Sequence, residues 1–269
     1  MLLLLAGCAA PVAVVLPDAG DTTPLAYPVA TRVRMMAILD AEWREWGARV
    51  LDGRRGPVGD AEGPMAEQDA AAFSKVLAYW AAVSEAGYQG FIDRNKRAFI
   101  ARSGAGMCTA EERAADGRDV IWGCQPWSAA FISYVMRASG IDRAEFVRSA
   151  GHREYVDGLI AAGDRFGGRA TFLGHEIGGY SPVVGDLICA DRARRAPITT
   201  LAERRAEMGA SRPMHCDLVA GVAPGEILSI GGNVAQGVTA VRYRTDGQGR
   251  LVRNARRWFV VFENRIRVE

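Results

Sequence analysis

Beyond Gly168 the chain breaks into short β-branched runs, "GDLICAD", "CDLVAGV", "GEILSIGGNV", "VTAVRYR" and "RWFVVFE", each closed off by Gly, Pro or Asp. Runs of this kind, bounded by turn residues, read as β-strands. No helical period separates the last four, so successive strands must return antiparallel; a parallel pair needs a crossover long enough to hold a helix. The helical patterns lie upstream instead. Helices first and strands afterwards specify an α+β fold with a central antiparallel β-sheet, and they argue against a doubly wound sheet, in which the two alternate.

The upstream half reads as a series of helices. From about Ala30 to Val50, apolar residues recur at helical spacing (Val33, Met36, Ile38, Trp43, Trp46, Val50), and the Gly/Pro-rich stretch 52–64 breaks the pattern. A second helical stretch runs from about Glu67 to Glu85 and continues past Gly90 towards Ala101. A polar loop over 103–120 follows, then a helix opened by Trp127-Ser128 that ends near Gly140. "RAEFVRSAGHREYVDGLIAAG" gives a further helix or helix pair; His175 falls in a Gly-rich loop, and 192–205, with its arginines, prolines and threonines, reads as a solvated loop.

A chain of 269 residues can bury one substantial core. We divide it into a signal and tether over 1–27, an N-terminal helical extension over 28–66, and the principal domain over 67–269. The formal charge is only +2, with arginines scattered along the sequence, so nothing points to nucleic acid.

The first residues, "MLLLLAGCAAP", resemble the lipobox of a bacterial lipoprotein, in which the cysteine, here Cys8, becomes the lipidated first residue. The apolar run is too short to span a bilayer. No basic residue precedes the leucines, and a chance apolar N-terminus is the plainer alternative. The lipobox reading anchors the protein through its lipid on the periplasmic face of the envelope, at the outer membrane, in an oxidising compartment. There, Cys108, Cys124, Cys189 and Cys216 form an even set with three possible pairings. Cys108–Cys124 would close the polar loop and Cys189–Cys216 would join two strands; four buried thiols are the alternative. No CxxC and no His/Cys cluster has zinc-ligand spacing, so neither a metal nor another cofactor is expected.

Ser128 carries the chemical question. It stands in the first turn of a helix, where amides without helical partners and the helix dipole favour an anion. The dipole contributes only about 1 kcal/mol, far too little to ionise a hydroxyl, so a serine nucleophile needs a positioned base. The chain has three histidines, His152, His175 and His215. His215 immediately precedes the strand "CDLVAGV", and Asn233 closes the next, where its amide oxygen could fix the imidazole tautomer. His152, Trp127 and Asp217, which shares a strand face with His215, are candidate substrate contacts. Each has a simpler reading as well: Ser128 as a helix cap, His215 as a strand-end residue, Asn233 as a turn former after two glycines.

These residues also carry a resemblance. "PWSAAFISYVM", "SPVVGDLICA" and "HCDLVAGV" resemble, in order, the nucleophile helix, the Gly-Asp-Leu strand and the histidine strand of the papain-like NlpC and CHAP peptidoglycan hydrolases. With "GGNV" they are similar to the bacterial family called domain of unknown function 2272, over about residues 70–262. The resemblance implies a papain-like fold with N-terminal helices. It also implies a site in which Ser128 replaces the usual cysteine, His215 is the base, Asn233 orients it, and peptidoglycan stem-peptide amides are cleaved. A serine esterase or acyltransferase of envelope glycans would use the same residues. A noncatalytic peptidoglycan-binding or scaffolding lipoprotein would keep the cleft and lose turnover.

Overall fold

The computed structural model describes residues 24–54, 65, 67, 70–83, 126–252 and 256–266. Its elements run α1 (Val29–Glu45), β1 (Val50–Asp52), α2 (Phe73–Val83), α3 (Ser128–Ser139), α4 (His152–Phe166), β2 (Phe172–Glu176), β3 (Leu187–Asp191), α5 (Leu201–Ala206), β4 (Met214–Ala223), β5 (Glu226–Val234), β6 (Gly237–Arg244) and β7 (Trp258–Asn264). The strands form one seven-stranded sheet in the order β1-β6-β5-β4-β3-β7-β2. Every pairing is antiparallel except β1 with β6, so the fold is α+β with a mostly antiparallel sheet.

The runs identified in the sequence become β3 to β7, and their period-2 alternation divides the core. In β3, all of whose residues are buried, Leu187 and Cys189 join one apolar cluster, with α1, α2, α3 and α4, whereas Ile188 and Ala190 join another with Tyr243 and Trp258. Cys189 lies directly opposite Cys216 on β4, and the two form a disulfide. Cys8, Cys108 and Cys124 lie outside the described residues, as do the polar loop 103–120 and the stretch from Gly87 to Ala101.

Three local readings are corrected, and of the helix or helix pair expected over 143–163 the single helix is found. The first helix ends at Glu45, and Val50 instead begins an edge strand parallel to β6, with Val50 opposite Ala240. The segment before His152 is not helical, so "RAEFVRSAGHREYVDGLIAAG" holds one helix, α4. His175 lies on a strand, β2, with its ring stacked on Tyr180 and its Nε2 2.9 Å from Glu263. The stretch 192–205 runs into α5, opened by a capping box in which Thr200 accepts from the Glu203 amide and Glu203 reaches back to the Thr200 amide. On α5, Arg204 is wholly buried and forks onto Asp157 of α4, with Nε–Oδ1 2.8 Å and Nη2–Oδ2 2.7 Å. An arginine fully enclosed around a carboxylate is the opposite of a solvated loop.

The N-terminal helix is built into the core. Met35, Leu39 and Trp46 pack in the same cluster as α3, and Arg32 donates through Nη1 to the carbonyl of Asn264 at the end of β7, 2.8 Å away. Among the described residues, no helix is long and apolar enough to cross a membrane.

Candidate active site

Two helix N-termini meet at the site. Ser128 is the first residue of α3 and His152 the first of α4, and the Ser128 Oγ stands 2.6 Å from the His152 Nε2. The N-cap position of α3 belongs to Trp127, whose side chain makes no capping bond, so Ser128 is not the cap residue. The first helical bond of α3 is Phe131 N–H to the Trp127 carbonyl, 2.9 Å, which leaves the amides of Ser128, Ala129 and Ala130 without a carbonyl of that helix. With Nε2 accepting from the serine, the ring proton sits on Nδ1 and is donated to the Tyr155 hydroxyl one turn further along α4.

A second pair lies alongside. His215 Nε2 and Asp217 Oδ1 are 2.7 Å apart on β4, and the Ser229 hydroxyl of β5 donates to Asp217 Oδ2 at 3.0 Å. The His152 and His215 ring centroids are 5.3 Å apart. The two glycines of "SIGGNV" make this packing possible, one on each side of β5. A Cβ on Gly231 would lie 1.9 Å from Asp217 Oδ1 and 3.1 Å from His215 Nε2; one on Gly232 would lie 2.5 Å from the Phe131 Cβ of α3.

Charge is distributed in a definite way. Burial, with His215 close by, holds the His152 imidazole well below its ordinary value, despite the Asp217 charge. Burial lowers His215 too, and Asp217 offsets part of that. For Asp217 itself, burial pushes the carboxyl up, but the His215 contact and the Ser229 hydrogen bond outweigh it and the carboxylate lies below its usual range. Tyr155 is driven well above the phenol range by burial and stays protonated. At neutral pH the site therefore holds a hydroxyl, two neutral imidazoles and one buried carboxylate.

The structure brings Ser128, His152, His215 and Asp217 together and assigns other positions to the rest. The imidazole that meets Ser128 is His152 rather than His215, because His215 points its Nε2 at Asp217. Asn233 does not orient His215. Its backbone is left-handed, with φ 53°, and its amide donates to Glu67, so the turn-forming reading describes it. Trp127 is 0% exposed, stacked on Trp46 at 5.3 Å with its Nε1 donating to Glu67 Oε2 at 2.7 Å, and cannot touch a substrate. Glu67 thus ties the mouth of α3 to the end of β5. Asp217 is also enclosed, as the partner of His215, whereas Ser128 and His152 each keep an edge, 5% and 6% exposed.

Tyr155, Ser229 and Glu67 escaped the sequence reading. Tyr155 left a usable signal, three residues after His152 on one helix face. Glu67 left none, since its contacts join segments 60 and 166 residues apart. Among the described residues, no group of three or more His, Cys, Asp and Glu side chains could hold a metal ion.

Residues 67–265 match the family model described as "Uncharacterized protein conserved in bacteria (DUF2272)". The chain belongs to this family. The match takes in the seam where α3, α4, β4 and β5 meet, so the Ser128–His152 and His215–Asp217 pairs both lie within the family domain. No curated protein and no solved structure matches the chain.

Proposed function

We propose that this DUF2272 protein is an acyl hydrolase of the bacterial cell envelope, with Ser128 as nucleophile and His152 as general base. The observation that carries the reading is the 2.6 Å contact between Ser128 Oγ and the Nε2 of a buried, neutral imidazole. A helix-capping serine would direct its hydroxyl at its own backbone; this one directs it at a base.

In this reaction Ser128 Oγ attacks the acyl carbon as its proton passes to His152 Nε2. The carbonyl oxygen, now an anion, faces the amides at the start of α3 that have no carbonyl partner in that helix, and such donors contribute about 3 kcal/mol each. Collapse breaks the acyl bond, and the leaving amine takes the proton back from His152. Water then repeats the sequence on the acyl-serine, again with His152 as base. The imidazolium formed twice in this cycle is neighboured by the Asp217 carboxylate through His215, which compensates its charge without a direct bond. His215 and Asp217 are positioning residues here.

The substrate class, amides of peptidoglycan stem peptides, rests on the likeness of the Ser128, Gly-Asp-Leu and His215 motifs to NlpC and CHAP hydrolases, together with the papain-like arrangement those motifs imply. The envelope location, and the lipid anchor at Cys8, rest on the lipobox-like N-terminus.

A fluorophosphonate probe tests the nucleophile before any substrate is known. Protein lacking residues 1–20 is expected to label at Ser128. Labelling is expected to vanish in Ser128→Ala, to slow by at least a hundredfold in His152→Ala, and to slow by about tenfold in Asp217→Asn. An unlabelled wild type, with peptidoglycan cleavage appearing only in Ser128→Cys, makes the protein a binding module. Labelling that survives His152→Ala but not His215→Ala returns the base to His215.

A further inference from the structure

We propose that Tyr155 is a positioning residue of the hydrolase: its hydroxyl, bonded to the second ring nitrogen of His152, selects the imidazole tautomer that leaves Nε2 bare towards Ser128. The proposal rests on the reading of Ser128 as nucleophile and His152 as base, and supplies the third member that this pair needs. A neutral imidazole carries one N–H and one lone pair, and the partner of one nitrogen decides which of them the other keeps. In the fold Nε2 lies 2.6 Å from Ser128 Oγ, and Nδ1 meets the Tyr155 hydroxyl. The carboxylate that could fix the ring as an acceptor without a hydrogen of its own is on the other imidazole, with Asp217 Oδ1 2.7 Å from His215 Nε2.

A phenol can run this chain of bonds in either direction. If Tyr155 accepts from Nδ1–H, Nε2 presents its lone pair to the serine. If Tyr155 donates to Nδ1, Nε2 carries the hydrogen and Ser128 has no base. Two considerations favour acceptance. Asp217 and Glu154 both act on the phenol as anions. Their field keeps the proton on the oxygen and draws it towards the carboxylates, which leaves an oxygen lone pair for Nδ1–H. The second consideration is the charged ring. Once Ser128 has given up its proton, both imidazole nitrogens are donors. An accepting phenol keeps its bond, now charge-assisted, whereas a donating one would face a second hydrogen. Acceptance therefore strengthens as the reaction proceeds, which is the kind of interaction that accelerates it. The oxygen is also held in place. Tyr155 is 0% exposed and its ring lies 4.7 Å from that of Phe146, while His152 stands three residues away on the same face of α4, its ring plane turned 78° from the phenol.

The test uses the full-length protein with ¹⁵N-labelled histidine. Tyr155→Phe keeps the ring and its packing on Phe146 and removes only the oxygen. Two readouts are taken at neutral pH: the His152 tautomer from its ring ¹⁵N shifts, assigned by comparison with His152→Ala, and the rate of fluorophosphonate labelling. The wild type is expected to carry its hydrogen on Nδ1. Tyr155→Phe is expected to lose that preference and to label at least tenfold more slowly. A wild-type hydrogen on Nε2 overturns the proposal, as does an unchanged tautomer in Tyr155→Phe. A slower rate with an unchanged tautomer assigns Tyr155 to packing alone and overturns it as well. Unaltered labelling in Tyr155→Phe removes Tyr155 from the mechanism and leaves the Ser128–His152 pair standing. A wild type that never labels, but whose Nδ1 hydrogen shifts in Tyr155→Phe, refutes the nucleophile and leaves Tyr155 as the residue that sets the tautomer.

Discussion

Arg204 gives the sharpest test of how the second half of the domain is held. Its guanidinium is 0% exposed and grips the 5% exposed Asp157 through two nearly parallel bonds, with a third to Glu207 at 2.8 Å and longer contacts to the Ala210 carbonyl. Arg204→Met keeps the length of the side chain and removes the charge. Asp157 is then left buried with one remaining donor, the Gly209 amide at 2.9 Å. Uncompensated charges of this kind cost about 3–5 kcal/mol, an order of magnitude more than an exposed pair. Asp157→Leu should cost less, because Arg204 retains Glu207. The double variant should be more stable than Arg204→Met alone, since no buried charge then lacks a partner. Urea unfolding of the four proteins, followed by tryptophan fluorescence, gives the coupling energy directly. A loss under 1 kcal/mol for Arg204→Met, or a double variant whose loss equals the sum of the two single losses, would refute the buried-pair argument.

Three further outcomes follow from the site and its supports. Cys189 and Cys216 close a segment with a sequence separation of 27, for which the loop-entropy relation gives about 3.5 kcal/mol, so Cys189→Ala with Cys216→Ala should lower urea stability by about that amount; a loss below 1 kcal/mol would count against a formed disulfide. Gly231→Ala places a methyl against Asp217 and His215, and should cost about 1–3 kcal/mol and slow fluorophosphonate labelling at least tenfold; unaltered labelling would remove the His215–Asp217 pair from the mechanism. Both His152 and His215 titrate below the ordinary imidazole value when folded, so between the unfolded value near 6.5 and the folded values the unfolded chain binds more protons. Stability should therefore be fully present above about pH 6.5 and fall as the pH drops, by up to about 1.4 kcal/mol per pH unit for each histidine. Denaturation curves that coincide at pH 7.5 and 5.5 would contradict this.

The sheet was legible because its runs are short, β-branched and bounded by turn residues, and because period-2 alternation needs nothing beyond the local sequence. The elements that went unread share a different origin. β1 is three residues long and exists only because β6 offers it an edge. β2, "FLGHE", carries one glycine and two polar residues in five, a poor strand on propensity, and is held by its full register along β7. α5 announced itself through Thr200 and Glu203, a capping box overlooked because the arginines around it suggested solvent. Charge in a sequence does not report burial; Arg204 is inside because Asp157 is.

At the site, the sequence located Ser128 and His215 correctly on a helix mouth and a strand start, yet it paired them too simply. Strand alternation puts His215 and Asp217 on one face, and an acid two residues away along the same face captures the imidazole before any residue of another element can. His152 remains, and its place at the first turn of α4 suits a base that must be neutral, since a helix N-terminus disfavours the imidazolium. That same bias limits the base: a proton accepted from Ser128 sits against the dipole of α4. Among the described residues, the buried anion that acts to offset it is Asp217, whose carboxylate is held by His215. A relay with the carboxylate on the second imidazole differs from a simple triad in one measurable way. Asp217→Asn should weaken the base without freeing it from Ser128, reducing the rate of labelling while leaving the Ser128–His152 contact, and the fold around it, in place.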